Sequence, residues 1–412
     1  MKDVNASPVN ASIVNARPVN DESARVGQAG AGPGNAVTDA NAAPAVAVPF
    51  AGKRVPRLGM GTMALAIEGR PDRNTAIGTI HAALDAGVRY LDTAWSYYLP
   101  SVPGADGTGV AADFGYGELL VRDALASWDG PRDEVLVATK TGYRRTIDVT
   151  PDGPRTPNEP EEETSSPDVP GAHITHIGES AEHPEFPAPA GTSAPVPNAS
   201  GEPPAQSRQR LQAAGSRYGW MADSRPETMI RDAKESARHL GVDALDLLYS
   251  HGPDPSVPYE ETVGALKTLL DEGVIRYAGV SRVNNEQIDV AHAMLGDGLI
   301  AVQNQFSPSH PDPEGTMAHC AALGLDFVCW SPLGGFLDPV DARAYEPFKR
   351  VAAARGCSYQ RVVLAWEMTR YDRLFTIPSA RNPHEIRDSF SATGMRLEDD
   401  ELALLDAGVA GR

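Results

Sequence analysis

Short apolar runs alternate with helix-period segments through most of the chain. Strand-like runs fall at residues 57–63, 89–94, 134–140, 245–251, 277–281, 300–306, 325–331 and 374–378. Amphipathic segments at 72–86, 225–240, 259–270, 285–295, 314–323 and 358–369 fit between them as helices. The segment at 225–240 is preceded by Asp223-Ser224 and carries Pro226 and Glu227 in its first turn, a helix-start signature. Each helical segment is followed closely by Gly or by a strand. Eight β runs alternating with helices predict a (β/α)8 TIM barrel of class α/β. The competing architecture is a doubly wound sheet. Gly59-Met-Gly61 follows the first run, but no helix opens there, and the dinucleotide fingerprint is missing.

Two stretches break the pattern. In residues 1–48 Val-Asn recurs every five positions, from Val4-Asn5 to Val19-Asn20, and Ala, Gly and Pro follow. Residues 144–218 hold 13 of the 35 prolines and the acidic run Glu161-Glu162-Glu163. Both are expected to be disordered, the first as a tail and the second as an insert. His173, His176 and His183 lie in the insert without Cys or carboxylate partners at ligand spacing, so no metal site is expected. A shorter insertion is expected at 98–115. The barrel then occupies residues 49–412, with roughly 290 residues outside the tail and the long insert, enough for one large core.

Charge narrows the partners. Lys+Arg is 36 and Asp+Glu is 55, for a net charge of −19, which argues against nucleic acid and anionic membrane. The weakly polar stretch 42–51 contains Pro44 and Pro49 and is too short to span a bilayer. The first residues lack a basic segment followed by an apolar core, and Cys320, Cys329 and Cys357 have no C-x-x-C spacing. A cytoplasmic enzyme with free thiols and a small-molecule substrate is expected; oligomeric state is not legible.

Barrel enzymes place their chemistry at the C-terminal ends of the strands. Asp92 closes the second run, Lys140 the third and His251 the fourth, and Tyr97 follows Asp92 in a loop. An ammonium beside a phenol favours phenolate and lowers its pKa, a carboxylate keeps that ammonium charged, and an imidazole hydrogen-bonds a substrate oxygen. Together they suit protonation of a carbonyl oxygen as hydride reaches its carbon.

With these residues in place, the chain resembles the aldo-keto reductase family. The matching motifs are Asp92-Thr-Ala with Tyr97 five residues on, Ala138-Thr-Lys140 and His251-Gly-Pro-Asp254. Gly279-Val-Ser281, Gln303-Asn-Gln305, Trp330-Ser-Pro-Leu-Gly334 and Ile377-Pro378 extend the match. The resemblance implies a catalytic tetrad of Asp92, Tyr97, Lys140 and His251. It also implies a nicotinamide cofactor, NADPH or alternatively NADH, lying across the barrel mouth. Ser281 and Gln303 would then bond its carboxamide, and Trp330 would stack on the nicotinamide. Ser331, Leu333 and Gly334 would line the pyrophosphate. Ser379, Arg381 and the start of the next helix would hold the adenosine end.

The chain departs from the family at several points. Tyr97 is followed by Tyr98 rather than Gly, and Tyr116-Gly117-Glu118 resembles the remainder of the motif, so Tyr116 is the alternative acid. Arg282 stands where Asn often follows the Ser, Ser389 where Asn is usual, and Glu385 where some relatives are basic. Both insertions leave the barrel mouth after strands that carry the tetrad, so they are expected to rim the substrate pocket, with Trp220 as an aromatic wall. Two other functions stay open: a barrel lyase using Lys140 as a Schiff-base amine, and a cofactor-binding regulatory or scaffold barrel with little turnover.

Overall fold

The computed structural model describes residues 45–100, 113–147, 210–212, 218–312, 314–335 and 341–410. The expected tail up to residue 44, the three insert histidines and most of both insertions lie outside the described residues.

A hairpin, β1 (Ala47–Phe50) and β2 (Lys53–Pro56), opens the described chain. Then come β3 (Met60–Gly61), α1 (Arg73–Ala86), β4 (Tyr90–Asp92), α2 (Tyr116–Ala126) and β5 (Leu136–Thr141). A ribbon follows: β6 (Tyr143–Ile147), β7 (Arg210–Gln212) and β8 (Tyr218–Ala222). The alternation resumes with α3 (Pro226–Leu240), β9 (Leu245–Ser250), α4 (Tyr259–Asp271), β10 (Ile275–Ser281), α5 (Asn285–Leu295) and β11 (Leu299–Gln305). It ends with α6 (Thr316–Leu323), β12 (Asp326–Trp330), α7 (Glu346–Arg355), α8 (Tyr359–Glu367), β13 (Leu374–Thr376), α9 (Pro383–Phe390) and α10 (Asp399–Ala410).

Eight strands pair in parallel in the order β13-β12-β11-β10-β9-β5-β4-β3. The edges meet through parallel bridges Leu58↔Thr376 and Gly61↔Ser379, so the sheet closes into the (β/α)8 barrel. Closure brings the backbones close: a Cβ on Gly61 would lie 2.9 Å from both the Ile377 carbonyl oxygen and Ser379 Oγ. All six residues of β5 are buried, as expected for parallel strands covered on both faces. Phe50 stacks on Phe375 at 4.3 Å between ring centroids and meets Tyr90 edge-on at 5.4 Å, within the inner barrel core. Burying such a ring contributes about 1.5–3 kcal/mol.

Helix limits follow local chemistry. The Asp72 side chain accepts from the Asn74 and Thr75 backbone N–H groups at 3.0 Å, and Gly87 at φ 114° ends α1. α5 begins with a capping box between Asn284 and Gln287.

The structure corrects several boundaries. The expected tail reached residue 48, but β1 starts at Ala47, and its register partners in β2 hold it. The expected structureless run began at Arg144, yet β6 and β7 both pair antiparallel with β8. Proline content dominates that window and hides a pairing formed across the insert. The first strand is much shorter than residues 57–63 because the chain turns into a short 3-10 helix at Met63–Leu65. The shorter insertion is closed at its base, where the Leu99 N–H donates to Asp113 Oδ1 at 2.7 Å.

Candidate active site

Because the strands are parallel, their C-terminal ends share one face of the barrel, and a cavity of about 840 Å3, open mouth included, lies there. Asp92, Tyr97 and His251 line it, as do Ser281, Gln303, Trp330, Ser331, Leu333, Gly334 and Ser379. Arg381 is not among the lining residues. Its guanidinium lies against Gly69, with Nη2 3.2 Å from where a Cβ there would sit, and its backbone N–H donates to Glu385 at 2.8 Å. Tyr116 stays outside the cavity: the Arg70 guanidinium covers its ring at 3.7 Å. The split motif nonetheless rejoins in space, since the Gly117 N–H donates to the Tyr97 carbonyl at 3.0 Å.

At the floor, buried Lys140 donates to Asp92 Oδ1 in a short ion pair and to the Thr93 carbonyl at 2.8 Å. The second Asp92 oxygen accepts from Gln303 Nε2 at 2.9 Å and from the Tyr90 hydroxyl at 3.2 Å. Lys140 Nζ is 5.2 Å from the Tyr97 ring centroid, close enough for its charge to act on the phenol. Burial penalises the ammonium, but Asp92 and Tyr97 outweigh it and raise the Lys140 pKa. Burial raises the Tyr97 phenol above its ordinary value, and the pull of Lys140 does not reverse this. The lowered phenol expected from the sequence is therefore not reached, because the site is drier than motif spacing reveals. Burial, then Lys140 and Arg282, hold His251 neutral, well below the usual imidazole value.

His251 is packed on three sides. Its ring lies 4.9 Å from Tyr143 and 5.9 Å from Tyr97, and its Nδ1 is 3.4 Å from Ser96 Oγ. The wall facing it includes Trp220 of β8, so the root of the long insert does reach the cavity. Arg145 of β6 fixes that wall: its guanidinium lies 3.8 Å over the Trp220 ring and pairs with Glu68.

The strand-end residues expected to hold a cofactor have suitable polarity. Ser281 donates its hydroxyl proton to the Gln303 carbonyl at 2.7 Å, so its oxygen faces the cavity as an acceptor, as a carboxamide NH2 requires. Ser331 at φ 51° and Gly334 at φ 72° bend the following loop around the cavity edge. Tyr345 donates to the Leu333 carbonyl at 3.0 Å and contacts Ser309 at 3.1 Å, which fastens that loop. Ser96, Tyr143, Tyr345 and Glu68 were not singled out from the sequence. Only Ser96, next to Tyr97, has a position that hints at a role; the others act through contacts between segments far apart in the chain. Among the described residues, no helix is long and apolar enough to cross a membrane.

The chain matches the profile of the Aldo/keto reductase family over residues 57–168 and 205–409. It is 28% identical over 209 residues to Aldo-keto reductase str7 of Strobilurus tenacellus, covering 43% of this chain and 62% of the relative, under two thirds of its length. It is 24% identical over 365 residues to Pyridoxine 4-dehydrogenase of Escherichia coli (strain K12), covering 86% of this chain and 95% of the relative. In structure it is similar to an aldo/keto reductase from Klebsiella pneumoniae solved with NADP and acetate, with TM-score 0.54, 21% identity, and 86% and 91% of the two chains covered. With a family match that spans most of the closed barrel and every strand end described above, the chain belongs to the aldo-keto reductase family of oxidoreductases.

Proposed function

We propose that the protein is an NADPH-dependent reductase that converts an aldehyde or ketone to an alcohol. The observation that carries this reading is the buried chain Asp92–Lys140–Tyr97, which reaches the floor of the cavity lined by Ser281, Gln303 and Trp330. A bound dihydronicotinamide would supply the hydride; Ser281, Gln303 and Trp330 would hold its ring end, Ser331, Leu333 and Gly334 its middle, and Ser379 and Arg381 its far end.

Tyr97 protonates the carbonyl oxygen as the carbon is reduced. Lys140 stabilises the phenolate left behind, and Asp92 keeps that ammonium charged and aimed. Neutral His251 positions the carbonyl: Ser96 Oγ lies 3.4 Å from Nδ1, and in the tautomer of this proposal the hydroxyl donates to Nδ1 and the proton stays on Nε2 for the substrate oxygen. The raised pKa of Lys140 opposes the lyase alternative, since a Schiff-base amine needs a depressed value. The expected division into tail, barrel and insert is retained as part of this proposal, and residues 150–207 lie outside the described residues. The test is titration of protein fluorescence with NADPH and NADH. Quenching by NADPH alone supports the reading with Arg381 as phosphate partner; quenching by neither defeats it.

A further inference from the structure

Two side chains that line the cavity, Met63 and Trp220, serve neither the tetrad nor the proposed cofactor site. Trp220 belongs to the buried cluster that contains Tyr97, Ala66 and Ile67, and Met63 packs against that cluster. The two come from distant parts of the chain. Met63 opens the short 3-10 helix after β3, and Trp220 lies on β8. The segment that carries Met63 is compact: the Ala66 and Ile67 N–H groups donate to the Met63 carbonyl at 3.0 and 3.2 Å. The same segment goes on to Glu68.

Glu68 and Arg145 join these two sides of the cavity. Arg145 is opposite Trp220 in the β6–β8 register, so the two side chains leave the ribbon on the same side. The guanidinium covers the indole at 3.8 Å from the ring centroid and pairs with Glu68, in the segment of Met63. The Arg145 N–H donates to the Tyr98 hydroxyl at 3.3 Å, which ties β6 to the loop of Tyr97. The Arg145 side chain is fully buried, whereas Glu68 keeps 17% of its side chain in solvent. Neither lines the cavity. What Trp220 offers to the cavity is therefore held in place before any ligand arrives, and a ring already held loses little freedom on contact.

Resting on the reductase reading, we propose that Met63 and Trp220 bound a slot for a flat aromatic group on the carbonyl carbon, and that Arg145, held by Glu68, is the positioning residue that sets this slot. The preferred substrates are then aromatic aldehydes. An aromatic ring meets an indole and a thioether, both of which favour a π-system beyond its apolar area. A saturated ring of the same size is thicker and gains its apolar area alone. A polyol would lose water from its hydroxyls against the thioether and the indole.

The experiment measures kcat/KM for benzaldehyde and cyclohexanecarbaldehyde with NADPH, in wild type, Arg145→Met, Glu68→Gln, Trp220→Leu and Trp220→Phe. Calorimetry follows benzamide and cyclohexanecarboxamide binding to the same proteins, with and without NADPH. Conjugation makes benzaldehyde the less electrophilic of the two, so a preference for it is not inherent in the carbonyl. Wild type should favour benzaldehyde by about fivefold or more. Trp220→Leu and Arg145→Met should each remove most of that preference, Glu68→Gln should reduce it, and Trp220→Phe should retain much of it. Arg145→Met should keep cyclohexanecarbaldehyde turnover and NADPH quenching within about threefold, a split that a general loss of packing would not give. Equal kcat/KM for the two aldehydes in wild type overturns the slot and leaves the reductase reading intact. A full preference in Trp220→Leu overturns it as well. A full preference in both Arg145→Met and Glu68→Gln overturns the role of the ion pair. If Arg145→Met does not fold, Glu68→Gln and the two Trp220 variants decide by the same criteria. If no aldehyde is reduced while benzamide binds more tightly than its saturated analogue and needs Trp220 and Arg145 to do so, the reductase reading fails and the slot stands.

Discussion

Two buried acids mark two regions of this barrel. Asp92 lies at the mouth, where one oxygen faces the Lys140 ammonium and the other accepts from Gln303 and Tyr90. Glu367 lies at the end of α8, behind β13, where one oxygen accepts from the Thr376 hydroxyl at 2.9 Å and the other has no hydrogen-bond partner among the described residues. Burial holds Glu367 well above the ordinary carboxyl value and so favours its neutral form. The two sites are equally dry. The mouth supplies a counter-ion and two further donors, whereas the wall supplies a single hydroxyl. Burial alone therefore does not make a reactive site; a chain of charged partners leading to a cavity does.

The mouth should give the largest response. Tyr97→Phe removes the acid at the end of that chain and leaves the cavity lining otherwise unchanged. Turnover should fall by about a thousandfold, with the NADPH dissociation constant within about twofold. Single-turnover kinetics and a fluorescence titration check the two halves. Full activity in this variant would remove Tyr97 from the scheme.

Next is a change that makes the mouth resemble the wall. Lys140→Met leaves Asp92 buried without its cation. Breaking such a pair costs about 3–5 kcal/mol, read by chemical denaturation. The wild type should show a flat kcat/KM for reduction between pH 6.5 and 8.5. His251 is held below that window and Tyr97 and Lys140 above it, so none of the three titrates there. An inflection near the ordinary imidazole value would contradict the neutral, buried His251.

The wall should respond through stability instead. The folded-state pKa of Glu367 is raised above its unfolded value, so its contribution is fully present below the unfolded pKa. It is lost as pH rises toward the folded pKa. Glu367→Gln should flatten the decline of stability as pH rises above the ordinary carboxyl range and leave kcat within about twofold. A variant that declines as steeply as wild type would show that another group carries the dependence.

The same contrast explains what was legible beforehand. The floor residues sit on or next to strands whose ends are fixed by the closed sheet, so a run such as residues 135–140 predicts both strand and position for Lys140. The rim depends on pairings made across insertions. Trp220 reaches the cavity because β8 pairs with β6, and Arg145 holds it through Glu68 in another loop. No local pattern encodes those contacts. Arg282 was visible as a departure from the family, but it lines the cavity from a left-handed backbone conformation at φ 58°, next to Val283, whose N–H and carbonyl both bond the Asn304 side chain. Glu367 gave no signal at all, since a Glu within an amphipathic helix reads as a solvent-facing residue.

Ser96 offers the finest division between the regions, because it acts on the mouth without belonging to the ion-pair chain. Its hydroxyl is buried 3.4 Å from His251 Nδ1, a long contact that in the proposed scheme favours the proton on Nε2. Ser96→Ala removes one oxygen without opening a large cavity, so stability should change by less than about 1 kcal/mol. The imidazole then loses its tautomer bias, and part of the population presents an unprotonated Nε2 to the substrate oxygen. A loss of about three- to tenfold in kcat/KM should follow, with NADPH binding unchanged and a shift of the His251 ring nitrogens in 15N NMR. The NMR shift distinguishes orientation from packing. If activity falls while those nitrogens do not move, Ser96 only fills space, and His251 owes its tautomer to the rings of Tyr97 and Tyr143 that enclose it.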